Sequence, residues 1–485
     1  MDVSPSAVLK PRVLFDPIYG FIKFTPAEWE IIHGPFYQRL RWVKQLGFSC
    51  YVFPGAEHSR FGHSIGVLHN AQKILESCER AVPDKVLFDT NVTSKEIFFH
   101  RSVRMAALLH DLGTFCFSHT TEGAYVDFAE TTNLKGGKGL PDDHENLGSF
   151  IIKNTNYEGG ITRILLDNDF DPQLISDLVK GVGPSPLANQ ILHSEIDCDR
   201  MDYLLRDAHY TGLRYGSYDR DYLLYHFRVC KIGEHEVLAI KQNALHCVED
   251  FLMSRYAWYN QVIRSPRGAK YDAIAGKICF YMLEKGLVFR YGQLLEMIEK
   301  NPHHFFNFND NYFLNLVHVS YINGVFDRAP DIKDMASTLL FQKGARALKD
   351  NCFSQRLLDP DDQSKNEKII KRAEEKVLEI KEFLKKNGTK KDWVISDLPK
   401  KIITFVKSEN NIVKDKVGPN ILLERDPVKI LDDAGDIKLL AQLDQSIISK
   451  LQRSMNYIPN VYCSNSAYEL LIKANMVSGM VAGHD

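Results

Sequence analysis

Four side chains stand out for the chemistry they could share. His63 lies in HSRFGHSIG at the start of a predicted helix, His110 and Asp111 close the apolar run MAALL, and Asp199 lies in EIDCDRMDYLLRD. Two imidazoles and two carboxylates suit one hard-to-borderline divalent ion such as Mn, Mg, Fe or Zn. Adjacent His and Asp side chains at a helix end can converge on one ion, which leaves coordination positions for water and substrate oxygens. Such an ion lowers the pKa of water and neutralises phosphate charge. A lone His-Asp pair carries little weight among 17 histidines, because a helix-terminal imidazole can simply cap carbonyls. Context adds the weight. Asp197, Asp199, Arg200, Asp202, Tyr203, Arg206 and Asp207 crowd one stretch of helix, a poor way to build a plain core.

The elements that must position these groups are read from periodicity and turn signals. Residues 9–24 predict a hairpin, and the apolar spacing of 26–47 predicts helix. Further helices are expected over 59–81, over 96–112 (ended by Gly113), from His144 onward, within 161–180, over 187–208 and over 245–263. Residues 131–143 read as a glycine-rich polar loop, and 297–318 as helix–loop–helix. The aromatic run HHFFNFNDNYF (303–313) suits either core or interface. A charged amphipathic helix begins at Lys365 and stops at Asn387-Gly388. Strand-like pieces follow at 392–398, 401–407 and 417–423. The expected organisation is an N-terminal hairpin and helix (1–50), a helical core (51–295), a helical extension (296–360) and a smaller α+β region (361–485). The fold class expected is mainly α.

With 485 residues, 44 % of them hydrophobic and 25 % charged, the composition is that of an ordinary globular protein. The formal net charge of −2 gives no global attraction to nucleic acid or anionic lipid. Basic clusters at Arg39/Arg41/Lys44 and Lys390/Lys391 leave local nucleic-acid binding open. Nine cysteines are spread singly, so neither a disulfide scaffold nor a cysteine zinc site is indicated. No long apolar run predicts a membrane span. A soluble, cytoplasmic protein is expected.

At the candidate ligands the chain resembles the HD-domain deoxynucleoside triphosphate triphosphohydrolases, in the branch that includes the animal SAM- and HD-domain enzymes and their bacterial relatives. The matching blocks are FDPIYGFI (15–22), FYQRLRWVKQLG (36–47), YVFPGAEHSRFGHSIGV (51–67), AALLHDLGTFCFSH (106–119), HEN (144–146) and IDCDRMDYLLRDAHYTG (196–212). They span most of the first 265 residues in family order; the SAM domain is not matched. The resemblance implies an HD-type helical metallohydrolase core with one divalent ion on His63, His110, Asp111 and Asp199, and leaves room for further ions with bound nucleotide. It implies a catalytic His144 with an acid partner at Asp127 or a neighbour. It places Arg60, His119, Arg200, Tyr203 and Arg255 against phosphates, and Gln45, Leu46 and Asp207 around a deoxyribose. Gln38 and Arg41 match allosteric positions. The implied reaction converts a dNTP to deoxynucleoside and triphosphate through a metal-activated water, in a homo-oligomer (dimer or tetramer).

Three departures bear on the substrate. The usual HDLGH motif reads HDLGT, with Thr114 in place of a phosphate-side histidine. Ile263 replaces a tyrosine near the sugar, and Ser265-Pro266 replace His-Lys. His33 and Phe15 stand where the animal proteins read an activating guanine nucleotide, so activation of that type is not implied. Two other readings therefore stand beside the dNTP reading. One is a nucleotidase or phosphodiesterase using the same metal site. The other is a nucleotide-sensing or nucleic-acid-binding protein with low activity.

Overall fold

The computed structural model describes residues 12–78, 82–87, 94–132, 143–358, 362–398, 403–404, 419–451 and 455–478. The architecture is mainly α-helical, with a smaller mixed α+β region toward the C-terminus. The chain opens on an antiparallel hairpin, β1 (Arg12–Asp16) and β2 (Gly20–Phe24). Asp16 shapes its turn by accepting from the amides of Ile18 and Tyr19. The helix expected over 26–47 is instead Pro26–His33, a break at Gly34, and short turns at Pro35–Gln38 and Arg39–Trp42. A residue before proline is pushed out of the helical region, and Gly34 is accordingly extended.

The core bundle is built from α1 (Arg60–Ser77), α2 (Lys95–Leu109), α3 (His119–Thr132), α4 (His144–Asn154), α5 (Cys198–Thr211), α6 (Leu245–Trp258) and α7 (Pro266–Lys285). Apolar residues from all seven helices join one continuous hydrophobic cluster. Close approach of the helices depends on two glycines. A Cβ on Gly66 of α1 would lie 1.8 Å from Asp202 Oδ1 of α5, and one on Gly113 would lie 2.2 Å from the backbone of α4. Between α6 and α7 the chain passes through a π-helical turn, Tyr259–Ile263.

The single helix expected over 187–208 is two helices. Pro186–His193 ends at an extended Ser194, and α5 restarts after Asp197, whose side chain caps the amide of Arg200. Ser and Asp side chains compete locally for backbone partners and favour such breaks. As a result Asp199 sits in the first turn of α5 rather than mid-helix.

In the C-terminal region, the helix Gln363–Asn387 stops at Gly388, as its sequence predicts. Its Ala373, Val377, Ile380 and Leu384 form a separate cluster with Val461, Ala467 and Leu471. Strand Val394–Asp397 lies where 392–398 predicted one. Of 401–407 only Ile403–Thr404 is described, as a short strand; the rest falls outside the described residues, as does most of the 131–143 loop. The described part of 417–423 is a 3-10 turn, Pro419–Leu423, not a strand. Strand Lys429–Leu431 then pairs in parallel with His235–Lys241, so the C-terminal region completes a four-stranded sheet rooted in the core. Among the described residues no helix is long and apolar enough to cross a membrane.

Gly66→Ala is expected to cost about 1–3 kcal/mol in chemical denaturation, because the new methyl must displace a buried carboxylate. Gly123→Ala on α3, where a Cβ meets nothing within 4 Å, should instead stabilise by about 0.5–1 kcal/mol.

Candidate metal centre

His63 projects from the first turn of α1, His110 and Asp111 follow the last residue of α2, and Asp199 lies in the first turn of α5. Three helix ends thus aim four groups at one point. His63 Nδ1 lies 2.7 Å from Asp202 Oδ2, and His110 Nδ1 lies 2.8 Å from the carbonyl oxygen of Ala107. A carbonyl only accepts, so His110 Nδ1 carries a hydrogen and its neutral ring presents a lone pair at Nε2. The two Nε2 atoms face each other at 3.3 Å, with Asp199 Oδ1 at 3.0 and 3.8 Å from them. Asp111 Oδ2 lies 3.6 and 3.5 Å from the same nitrogens. One hydrogen on His63 Nε2 would satisfy a single contact of this set. A divalent cation satisfies all of them, since ligands held at about 2.1 Å from one ion sit roughly 3–3.5 Å apart. His63, His110 and Asp199 form one of two His/Asp/Glu groups able to hold an ion among the described residues. The donor set fits a divalent metal.

Electrostatics reinforce the fit. Burial opposes ionisation of Asp111, but the Arg60 guanidinium 2.6 Å away and both imidazoles hold its carboxyl well below the usual carboxylate range. Burial also opposes charge on His63, yet hydrogen bonds to Asp199 and Asp202 raise it to about 9. Asp202 is itself gripped by Arg206 through two bonds, 2.8 and 3.0 Å, and Arg206 reaches Asp16 at 2.9 Å. A carboxylate behind a ligating histidine fixes the ring's tautomer and orientation.

Beside this centre lies the second group, His119, Glu122 and His144. Glu122 Oε1 lies 2.6 Å from His144 Nδ1 and 2.8 Å from the His144 amide, while Oε2 lies 2.6 Å from His119 Nδ1. The carboxylate against His144 is therefore Glu122, not Asp127. Five residues along α3, about 140° around the helix, Asp127 is exposed on another face. The spacing of Glu122, three residues after His119, was the available signal. The turn that starts α3 is strained: Phe117 and Ser118 both have positive φ, 53° and 55°. Asp310 holds it by accepting from the Phe117 amide, and Arg60 Nε donates to Ser118 Oγ.

The family model described as HD domain matches residues 60–207, the span from Arg60 to Asp207. Over that span the chain resembles an HD domain. Bacillus subtilis YwfO is 32 % identical over 55 % of this chain and 55 % of its own length. Methanocaldococcus jannaschii MJ1154 is 31 % identical over 53 % of this chain and 46 % of its own length. Human deoxynucleoside triphosphate triphosphohydrolase SAMHD1 is 25 % identical over 54 % of this chain and 43 % of its own length. The chain spans about half the length of the curated relatives it matches. The crystal structure of a Bacteroides thetaiotaomicron phosphohydrolase shares the fold, with a TM-score of 0.63 and 20 % identity across 94 % of this chain and all of that one.

Around the HD centre the remaining predicted residues have specific neighbours. Arg200 pairs with Asp197 and donates to the Ser194 carbonyl; Arg255 pairs with the buried Glu195. Thr114 spends its hydroxyl on the Asp111 carbonyl. Asp207 has both oxygens engaged, by His58 Nε2 at 2.7 Å and Trp258 Nε1 at 2.9 Å, and Trp258 packs against Tyr203. Asp202, Glu195, His58 and Trp258 were not singled out as site residues from sequence. Gln38 is bonded to the Ile32 carbonyl and to Arg41, whose guanidinium stacks 3.5 Å over Phe61. A cavity of about 740 Å³ reaches the second group at His119 and is lined also by Gln45, Leu46, Asp127, Tyr259 and Ile263; none of the four candidate ligands lines it. Gln45 Oε1 in its wall is buried and has no hydrogen-bond partner.

Burial disfavours the charged form of His144, but Glu122 outweighs it and raises His144 to about 9. A raised imidazole contributes stability that is complete below its unfolded pKa, about 6.5, and is lost as pH climbs through about 9. The depressed Glu122 begins to lose its contribution only below the ordinary carboxylate range. In metal-free protein, NMR titration should give a His144 midpoint near 9, falling below about 6.5 in Glu122→Gln. The stability difference between the two proteins should fade between those limits as pH rises.

Proposed function

We propose that this protein is a metal-dependent phosphohydrolase, and that it acts on a dNTP, releasing triphosphate and deoxynucleoside. One observation carries the reading: the convergent His63, His110, Asp111 and Asp199 stand near a histidine, His144, whose Nδ1 lies 2.6 Å from the Glu122 carboxylate. A bound divalent ion supplies charge neutralisation for phosphate and a lowered pKa for water. The chain supplies the rest. His144 Nδ1 is committed to Glu122, which leaves Nε2–H to pass a proton to the departing oxygen. Arg60 neutralises Asp111 and can turn its remaining N–H groups to phosphate oxygens. The unpartnered Gln45 Oε1 suits a hydrogen-bond donor on the nucleoside.

A second reading, hydrolysis of a different nucleotide or phosphate ester, is favoured by Asp207. His58 and Trp258 each hold one of its oxygens, so a sugar hydroxyl would have to share an oxygen that already accepts. In either reading a homo-oligomer is supported by the exposed Phe15 and Phe21 on the outer face of the hairpin.

The deciding experiment incubates protein loaded with Mn or Mg with the four dNTPs, singly and mixed. Intact triphosphate should appear, be abolished in His110→Ala/Asp111→Ala, and fall by about 10²–10⁴-fold in His144→Ala. Turnover of monophosphates or diesters, with dNTPs inert, would sink the dNTP reading and keep the phosphohydrolase one.

A further inference from the structure

We infer that residues 424–429, a strap supplied by the C-terminal region, hold the turn that presents Asp199, which makes Lys429 and Gln190 positioning residues for the metal centre. The inference rests on the reading of His63, His110, Asp111 and Asp199 as metal ligands. The turn in question, residues 194–197, joins the helix Pro186–His193 to α5 and carries two groups that matter. Asp197 caps α5 two residues before Asp199, and Glu195, fully buried, pairs with Arg255. The outer side of this turn rests on the strap. The Glu195 amide donates to the Asp426 carbonyl at 3.3 Å. Gln190, one turn earlier, donates from Nε2 to the Glu424 carbonyl at 2.9 Å and accepts from the Leu238 amide at 2.7 Å. It thereby ties strap, helix and sheet together with one buried side chain. Ser194, Ile196, Pro427 and Lys429 meet around a void of only about 20 Å³.

Lys429 closes the strap on itself. The residue is 2 % exposed, and its Nζ donates to the carbonyls of Glu424 at 3.0 Å and Pro427 at 2.9 Å. Both acceptors belong to the strap, so the lysine fixes the shape of the strap rather than its attachment to the sheet. Burial lowers its pKa to about 7, against the opposing carboxylates of Glu424 and Asp426. A methionine would fill the same volume without burying an amine, so plain packing gives no reason for a lysine here. A defined strap conformation does, because the Asp426 carbonyl meets the turn only while the segment 424–427 keeps its loop.

The test titrates metal-stripped, full-length protein with MnCl₂ by calorimetry. Lys429→Met is expected to weaken Mn binding by about tenfold or more, as loss of groups behind metal ligands typically does. Arg425→Ala, on the exposed edge of the strap where Nη1 donates to the Lys180 carbonyl, should shift affinity in the same direction by a smaller factor, and it decides the matter if Lys429→Met fails to fold. Val461→Ala, in the separate C-terminal cluster, should lower the melting temperature and leave Mn affinity unchanged. Wild-type affinity in both strap variants, or an equal loss in Val461→Ala, would overturn the inference. Absence of Mn binding in the wild type, identical to His110→Ala/Asp111→Ala, would instead overturn the metal reading on which it rests.

Discussion

Two imidazole nitrogens are held 3.3 Å apart, with carboxylate oxygens on either side. To act as ligands both must turn a lone pair to the same point, and much of the surrounding structure serves to keep them facing. The restraint on His63 runs outward through Asp202 to Arg206 and on to Asp16 in the hairpin, all buried. Breaking one member of such a buried charged chain typically costs about 3–5 kcal/mol, which is large against the whole stability of a domain. Gly66 is the steric condition for it, because only a bare Cα lets Asp202 approach α1. The hairpin is therefore part of the metal centre's support, although it contributes no ligand.

The second polar group pairs imidazole with carboxylate in the same way. Around the ligands, positive charge is drawn in by carboxylates that Arg60 and the imidazoles keep ionised. Around His144, a single carboxylate binds two histidines and keeps a proton available at neutral pH. Environments that push neighbouring titratable groups apart are how one site can hold both a base-like and an acid-like function. The strained turn at Phe117-Ser118 leads directly into the helix that carries His119 and Glu122, and Asp310, from a helix far along the chain, holds that turn.

What could be read beforehand follows from how local each signal is. His110-Asp111 at the end of an apolar helix, and acids crowded around Asp199, are short-range patterns, and the HD match covers both. The helix Gln363–Asn387 and its glycine stop were equally local. Glu122 in place of Asp127 depended on helical phase within an element whose start, two left-handed residues, leaves no periodic trace. The break at 194–197 was hidden because apolar spacing continues across it. The pairing of Lys429–Leu431 with His235–Lys241, and of Trp258 with Asp207, is tertiary and leaves no mark on either segment alone.

These contacts divide the site into a part that is stiff and a part that is open. Every candidate ligand is bonded behind its metal-facing atom or pressed by a neighbouring charge, so the chemistry it supports tolerates little substitution. The substrate side is different. Leu46, Ile263 and Trp258 make one apolar wall, Asp207 is bonded to His58 and Trp258, and Thr114 is turned to the backbone. What remains for recognition is the cavity beyond His119, where Gln45 lacks a partner. An intact hydrolytic centre can keep its reaction while its walls are rebuilt for another leaving group.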